Sequence, residues 1–302
     1  MLGDLVLDVV LAPERPIERG TDVPGRVGLR QGGSAANTAR WLGRLGARVQ
    51  LICSVGHDGA GRSLVAQVRS DGVVVRVTRV AGHRTGRIGV IVGRDGERSF
   101  VADRRAAERL RPEDLHPDWF DAVDLLHLPA YSLLAEPVGQ AGRRAVGLVR
   151  ERGGLVSLDL ASSAPLLAHG RRAARELVAA VAPDLLFATA READAFLGGY
   201  GVEGLLDYAP TVIVKQGSRG AAVLSRVATG VDPERFEVAA GAVTATDTTG
   251  AGDAFDAGFL SAWLTARAAG HAEPVALHRG VLAGHRTAAR HLRSSRPELP
   301  PG

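Results

Sequence analysis

Residues 247–260, DTTGAGDAFDAGFL, set a glycine-rich turn and an aspartate directly ahead of a long apolar run. Where such a run begins as a helix, the N–H groups of Gly250, Ala251 and Gly252 lack an intrahelical partner, and the positive end of the helix dipole stands behind them. A turn of this kind attracts phosphate. Asp253 follows at once, close enough to take a proton from a hydroxyl that attacks the bound phosphate. The chemistry these four residues fit is phosphoryl transfer, and the rest of the chain must present the hydroxyl.

Length and composition bound what can position them. The chain has 302 residues, 45% hydrophobic but only 4% aromatic, which suits one large α/β domain with a core of Ala, Val and Leu. One thiol, Cys53 in the run VQLICSV, leaves no internal disulfide and reads as a small buried hydrophobe of an intracellular protein. No basic start precedes an apolar stretch and no run reaches spanning length, so a soluble cytoplasmic protein with no membrane partner is expected. A net charge of +4 and a pI near 9.9 raise nucleic acid as a ligand. The arginines, however, are scattered beside acids, Lys215 is the only lysine, and no basic stretch is interleaved with aromatics, so nucleic acid is not expected.

Short apolar runs alternate with segments of helical period. Strands are predicted over 5–10, 49–55, 124–128, 155–160, 184–188, 211–215 and 220–225, and helices over 34–45, 62–70, 136–151, 171–181, 191–197, 251–268 and 274–292. That order implies βαβ crossovers and a mostly parallel, doubly covered sheet, with ligands beyond the carboxyl ends of its strands. Residues 10–31 and 73–103 break the rhythm; VVVRVTRV, RIGVIVG and RSFVAD read as hairpin material with a turn at Arg94, Asp95 and Gly96. A small sheet covering one side of a single domain is predicted from them, with the lid at about 10–31 and 84–103. The tail 294–302, SSRPELPPG, is expected to be disordered.

Two segments together identify a resemblance. GGSAANTARWLGRLGARVQLICSVGHDGAG (32–61) and DTTGAGDAFDAGFL match, in order, the two signature regions of the ribokinase, or PfkB, family of carbohydrate kinases. The opening GDLVLD, the strand and turn VIVKQGSRGAAVL and the chain length agree as well, so the resemblance covers nearly the whole chain. It implies a ribokinase-like three-layer αβα sandwich with a mostly parallel central sheet and a small β-sheet lid. It also implies ATP-dependent phosphorylation of a hydroxyl on a small sugar or sugar acid, with Mg2+, Asp253 as base, and the Gly250, Ala251 and Gly252 amides as anion hole.

By the same resemblance Asp8, the glycine pair Gly32 and Gly33, and Asn37 meet the sugar. A carboxylate accepts from hydroxyls, glycine admits close approach, and an amide both donates and accepts. Lys215, Gly217, Gly220 and Thr248 lie beside ATP. Glu192 matches the glutamate that holds magnesium through water, although Thr189 stands where the family carries Asn. Arg98 and Arg104, in ERSFVADRRAAERL, resemble the arginines of sugar-acid kinases, Asp159 at the end of LVSLDL is placed to face the cleft, and Asp247 sits where some relatives bind a monovalent cation. Only two residues precede Gly3, so a shortened first strand or a late start is expected. An exposed lid face implies a homodimer through the lid.

Other patterns carry nothing. GYGVEG (199–204) follows a helix rather than a strand, so it is no dinucleotide site, and nine scattered histidines with one cysteine offer no zinc ligands. Those histidines read as surface or packing residues. The alternatives that remain are a nucleoside kinase of the same family, against which the scarcity of aromatics around Asp8 and Asn37 argues, and a non-catalytic sugar-binding or regulatory protein of the same fold.

Overall fold

Runs such as LLHLP and TVIVK are apolar at nearly every position, the pattern of a strand covered on both faces. The computed structural model describes residues 1–93, 98–226, 234–243, 245, 247–294 and 298–299. Its strands are β1 (Val6–Pro13), β2 (Gly25–Gly32), β3 (Gln50–Gly56), β4 (Val74–Val80), β5 (Arg87–Val92), β6 (Arg98–Asp103), β7 (Leu125–Pro129), β8 (Leu155–Asp159), β9 (Leu185–Thr189), β10 (Thr211–Lys215), β11 (Ala221–Ser225) and β12 (Glu234–Val238). Its helices are α1 (Ser34–Arg44), α2 (Gly59–Ser70), α3 (Tyr131–Leu134), α4 (Val138–Arg150), α5 (Ser163–Leu166), α6 (Gly170–Val181), α7 (Ala190–Leu197), α8 (Ala251–Ala268) and α9 (Glu273–Arg293).

The central sheet runs β12-β11-β10-β9-β8-β7, with β7 to β10 parallel. Residues Met1 to Gly3 extend it: the Leu2 N–H reaches the His127 carbonyl of β7 at 3.4 Å and the Ile52 N–H of β3 reaches the Met1 carbonyl at 2.9 Å, which brings the β3-β4 pair alongside. Alternate side chains divide between two cores. Leu126, Leu158, Leu186, Val212 and Leu224 face α4, α6 and α7, whereas Phe187, Ile213 and Val223 face α8 and α9. Helices α1 and α2 pack with β3 and the start of α8 in a third cluster that holds Cys53; burial raises its thiol to about 12. The result is the expected three-layer sandwich, and no helix among the described residues is long and apolar enough to cross a membrane.

Two expectations need correction. The strand predicted at 5–10 starts at Val6 and belongs to the lid sheet, ordered β2-β1-β5-β6. The short pairing segment at Met1 to Gly3 leaves the chain free to cross from one sheet to the other. VVVRVTRV is not hairpin material: β4 pairs parallel with β3, because α2 intervenes and returns the chain in the same direction. The turn predicted at Arg94, Asp95 and Gly96 lies outside the described residues, as does most of the tail. Within the tail, the Leu299 N–H donates to the Leu29 carbonyl of β2 at 2.8 Å.

The parallel strands end on one edge, so Asp159, Thr189 and Lys215, the last residues of β8, β9 and β10, stand together. Helix α8 opens toward that edge, and α1 packs across its first turns through Ala35, Ala36, Ala39, Ala254 and Ala257. Small side chains let the two helices approach closely enough for polar groups at their N-termini to meet.

Candidate active site

Asp253 is the meeting point of those N-termini. Its Oδ1 accepts from Ser34 Oγ at 2.7 Å and its Oδ2 from Asn37 Nδ2 at 2.8 Å. Ser34 and Asn37 are three residues apart on α1 and so present one face to α8. Asn37 in turn accepts from Gln31 Nε2 at 3.1 Å. Burial pushes the Asp253 carboxyl up to about 6; Ser34 and Asn37 pull against it, Asp159 adds to it and Lys215 opposes it. The residue keeps some accessible surface. Asn37, expected on the substrate, is therefore first of all the clamp on the carboxylate, and Ser34 and Gln31 are its unanticipated partners.

The turn before α8 is built as expected, with one difference. Gly250 caps the helix at φ +82° with no side-chain cap, and a Cβ there would lie 3.3 Å from the His291 ring. The Gly250 and Gly252 N–H groups meet no acceptor among the described residues. The Ala251 N–H is not open: it donates to the Thr248 carbonyl at 3.1 Å, because residues 248–251 close a tight turn before the helix begins.

The sugar-side residues converge on the same region. Asp8 pairs in register with Arg30 across β1 and β2, and a Cβ on Gly32 would overlap its carboxylate, which explains why glycine stands there. Gly33, at φ +101°, caps α1 against the Asp4 carbonyl. Arg104 lies elsewhere, bound to Asp4 at 2.6 Å with its guanidinium 4.0 Å from the Tyr131 ring, so it serves packing. Arg98 and Arg30, from opposite edges of the lid, share Asp247 at 2.9 and 3.2 Å, and Arg98 also reaches Thr248 Oγ1 at 3.3 Å. Asp247, expected beside a monovalent cation, thus has its carboxylate engaged by two guanidinium groups.

Lys215 is neither in solvent nor extended toward an open phosphate site. Its Nζ lies 3.0 Å from Asp159 Oδ2 and 3.1 Å from both oxygens of Asp256, and 3.5 Å from where a Cβ on Gly252 would stand. Burial opposes its charge, but Asp159, Asp256 and Glu192 more than offset that and raise its pKa. Burial, with Asp159 beside it, drives Asp256 well above the usual carboxylate range; at Asp159 burial also pushes upward, but Lys215, Asp256 and His127 together more than offset it and hold that carboxyl low. Asp159, expected to face substrate, is instead the charged partner of the lysine. Asp256 was legible as a second acid three residues after Asp253, on the same helical face.

Glu192 lies against this cluster. Its Oε2 accepts the Thr189 N–H at 2.7 Å while Thr189 Oγ1 accepts the Glu192 N–H at 3.2 Å, a reciprocal cap of α7. Threonine at 189 keeps the helix capped, and burial raises the glutamate. Gly217 and Gly220 form the turn into β11, closed by the Gln216 N–H on the Gly220 carbonyl at 2.8 Å. No cluster of three or more His, Cys, Asp or Glu side chains among the described residues forms a dedicated metal cage.

Comparison with known proteins agrees with this geometry. The profile of the pfkB family carbohydrate kinases matches residues 1–295. A fructokinase of Klebsiella pneumoniae is 32% identical over 271 residues, covering 86% of this chain and 82% of that one. An ATP-dependent ribose-1-phosphate kinase of Halopiger xanaduensis is 33% identical over 262 residues, covering 82% and 80%. Among solved structures, an adenosine kinase from Sinorhizobium meliloti superposes with a TM-score of 0.83 over 98% of this chain and 94% of that chain; at 24% identity it speaks for the fold. The chain belongs to the pfkB family of carbohydrate kinases, with a ribokinase-like fold. It is an enzyme that phosphorylates carbohydrate.

The buried lysine gives a test of the site's electrostatics. Lys215→Met leaves Asp159 and Asp256 together without a cation, and a loss of about 3–5 kcal/mol of stability is expected. The folded variant binds more protons than its unfolded chain, so its stability should rise as pH falls toward the ordinary carboxylate range. Urea melts at several pH values check both; a variant as stable as the parent at neutral pH would contradict the charge assignment.

Proposed function

We propose that the protein transfers the γ-phosphoryl group of ATP to a hydroxyl of a small sugar or sugar acid, with Asp253 as general base. The observation that carries this reading is the placement of a clamped, partly accessible carboxylate of raised pKa one residue beyond the Gly250–Gly252 turn. ATP as donor is supported by the family and by the ATP-dependent relative.

In this reading Asp8, the backbone at Gly32 and Gly33, and Asn37 bind the sugar and orient one hydroxyl toward Asp253. Ser34 and Asn37 hold the carboxylate so that an unshared lone pair of each oxygen stays available. The carboxylate takes the hydroxyl proton as the oxygen attacks in line. Charge developing on the phosphoryl oxygens is met by the Gly250 and Gly252 amides at the positive end of α8, with Ala251 sharing its N–H between Thr248 and phosphate. Gly217, Gly220 and Thr248 border the nucleotide. Lys215 contributes through its position beneath Gly252, as a fixed charge rather than a reaching side chain. Glu192 fits Mg2+, since it is a hard oxygen ligand with one oxygen beyond its capping bond and suits an ion that keeps its waters. When bound, the ion neutralises charge on the phosphates.

The lid sheet has a second role. Val27, Leu29, Phe100 and Val101 expose between 38% and 69% of their surface on β2 and β6. Apolar exposure on both edge strands of the lid sheet supports a homodimer through the lid.

Four measurements test these statements. A panel of hexoses, pentoses, sugar acids, phosphorylated sugars and nucleosides, read as ADP formed, should give turnover with a sugar or sugar acid; turnover with nucleosides alone would replace the reading. On the active substrate, kcat/KM should fall below pH of about 6 as Asp253 takes up its proton, and Asp253→Asn should remove turnover while leaving sugar binding intact. A variant that turns over normally would dismiss the base. Sedimentation at micromolar protein should give a dimer that Phe100→Glu converts to monomer; a parent of monomeric mass would count against the lid interface.

A further inference from the structure

Helix α9 reaches the phosphate turn through one histidine. Trp41 Nε1 lies 3.2 Å from His291 Nδ1, and His291 Nε2 lies 2.7 Å from the Thr249 carbonyl oxygen. An indole N–H can only donate, so the Nδ1 it meets is unprotonated and the ring proton is on Nε2. That proton is donated to Thr249. The tautomer is thus fixed by a residue of α1. Trp41 is itself immobilised: it is buried at 5% exposure, its ring meets the imidazole edge-on at 5.8 Å and 71°, and the Arg44 and Arg290 guanidinium groups stand 5.3 and 5.9 Å from it.

The Thr249 carbonyl is one end of a peptide unit whose other end is the Gly250 N–H. The unit is planar and trans, so anchoring the oxygen on one side directs the N–H to the other. A hydrogen bond to the carbonyl also polarises the unit and strengthens its N–H as a donor. The neighbouring peptide is held as well, since the Thr249 N–H donates to Asp247 Oδ1 at 2.9 Å. Glycine at 250 permits the approach, because its φ of +82° suits glycine and a Cβ would press on the His291 ring at 3.3 Å. We infer that His291 is a positioning residue for phosphoryl transfer: it orients and polarises the 249–250 peptide so that the Gly250 amide addresses the transferring phosphate, with Trp41 holding its tautomer. The inference rests on the kinase reading above, since the direction of that amide matters only with a phosphate before it.

Steady-state kinetics of the intact chain on its active sugar test it in His291→Ala, His291→Gln and Trp41→Phe, with thermal melts alongside. His291→Ala should lower kcat on the order of tenfold to a hundredfold, toward the cost of losing one oxyanion donor, with the sugar KM unchanged. His291→Gln carries an amide donor at the level of Nε2 and should recover most of the rate; Trp41→Phe keeps a ring but frees the tautomer and should lose part of it. A purely structural histidine would lower the melting temperature without this split and without rescue. Wild-type kcat in a folded His291→Ala, or a folded His291→Gln no better than Ala, overturns the inference. A wild type that turns over no sugar points to failure of the kinase reading instead. For that case, and for an Ala variant that does not fold, the Gly250 amide 15N resonance is followed during titration with inorganic phosphate. A shift in wild type that is preserved in His291→Gln and reduced in Trp41→Phe supports the inference, and identical shifts in wild type and Trp41→Phe, or no shift in wild type, refute it.

Discussion

A carboxylate held away from bulk water at the junction of two helix N-termini governs the arrangement of this molecule. Asp253 opens α8, and the groups that satisfy it, Ser34 and Asn37, open α1 more than two hundred residues earlier. Hydrogen bonds to a charged group contribute about 1.5–3 kcal/mol each, and leaving such a group buried and unmatched costs at least as much. The two helices must therefore meet at one distance and rotation. The alanines at 35, 36, 39, 254 and 257 make that distance reachable, and the Ser34–Asn37 spacing sets the rotation. On the proposed reading, small residues at these positions serve the chemistry as much as the core.

The charges behind that carboxylate explain the chain's only lysine. Asp159, Glu192, Asp253 and Asp256 crowd the ends of β8 to β10 and the start of α8, and a compact ammonium fits between two carboxylates where a planar guanidinium would need more room. Lys215 sets its charge against Asp159 at 3.0 Å and Asp256 at 3.1 Å, and Asp253 and Glu192 stand outside that pairing. On the proposed reading these two are the groups that meet the proton and the metal ion.

What could be read from the sequence was whatever one element carries by itself. The runs of β7 to β10 are apolar on both faces, so their parallel burial followed from pattern, and the glycine turn before α8 announced the open amides of Gly250 and Gly252, though not the bond that takes the Ala251 N–H. What spacing cannot say is which elements meet. Lys215 finds Asp159 and Asp256 across 56 and 41 residues of chain, Arg98 finds Asp247 from the lid, and His291 finds both Trp41 and Thr249 from the last helix. VVVRVTRV looked like a hairpin arm because alternation is the same in parallel and antiparallel strands; only the return of the chain over α2 decides between them.

The turn at 247–252 is held from three directions, and that convergence has a consequence of its own. The lid grips it through Arg30 and Arg98 on Asp247, the last helix grips it through His291 on Thr249, and the turn closes on itself through Thr248 and Ala251. Because Asp247 also takes the Thr249 N–H, a displacement of the lid arginines acts on the same short run of peptide units that His291 orients. Lid position and amide direction are thus mechanically linked through a single carboxylate. On the proposed reading a carbohydrate kinase gains from such a link: amides that reach their working direction only with the lid in place would confine phosphoryl transfer to the state in which the sugar hydroxyl, and not water, stands beside Asp253.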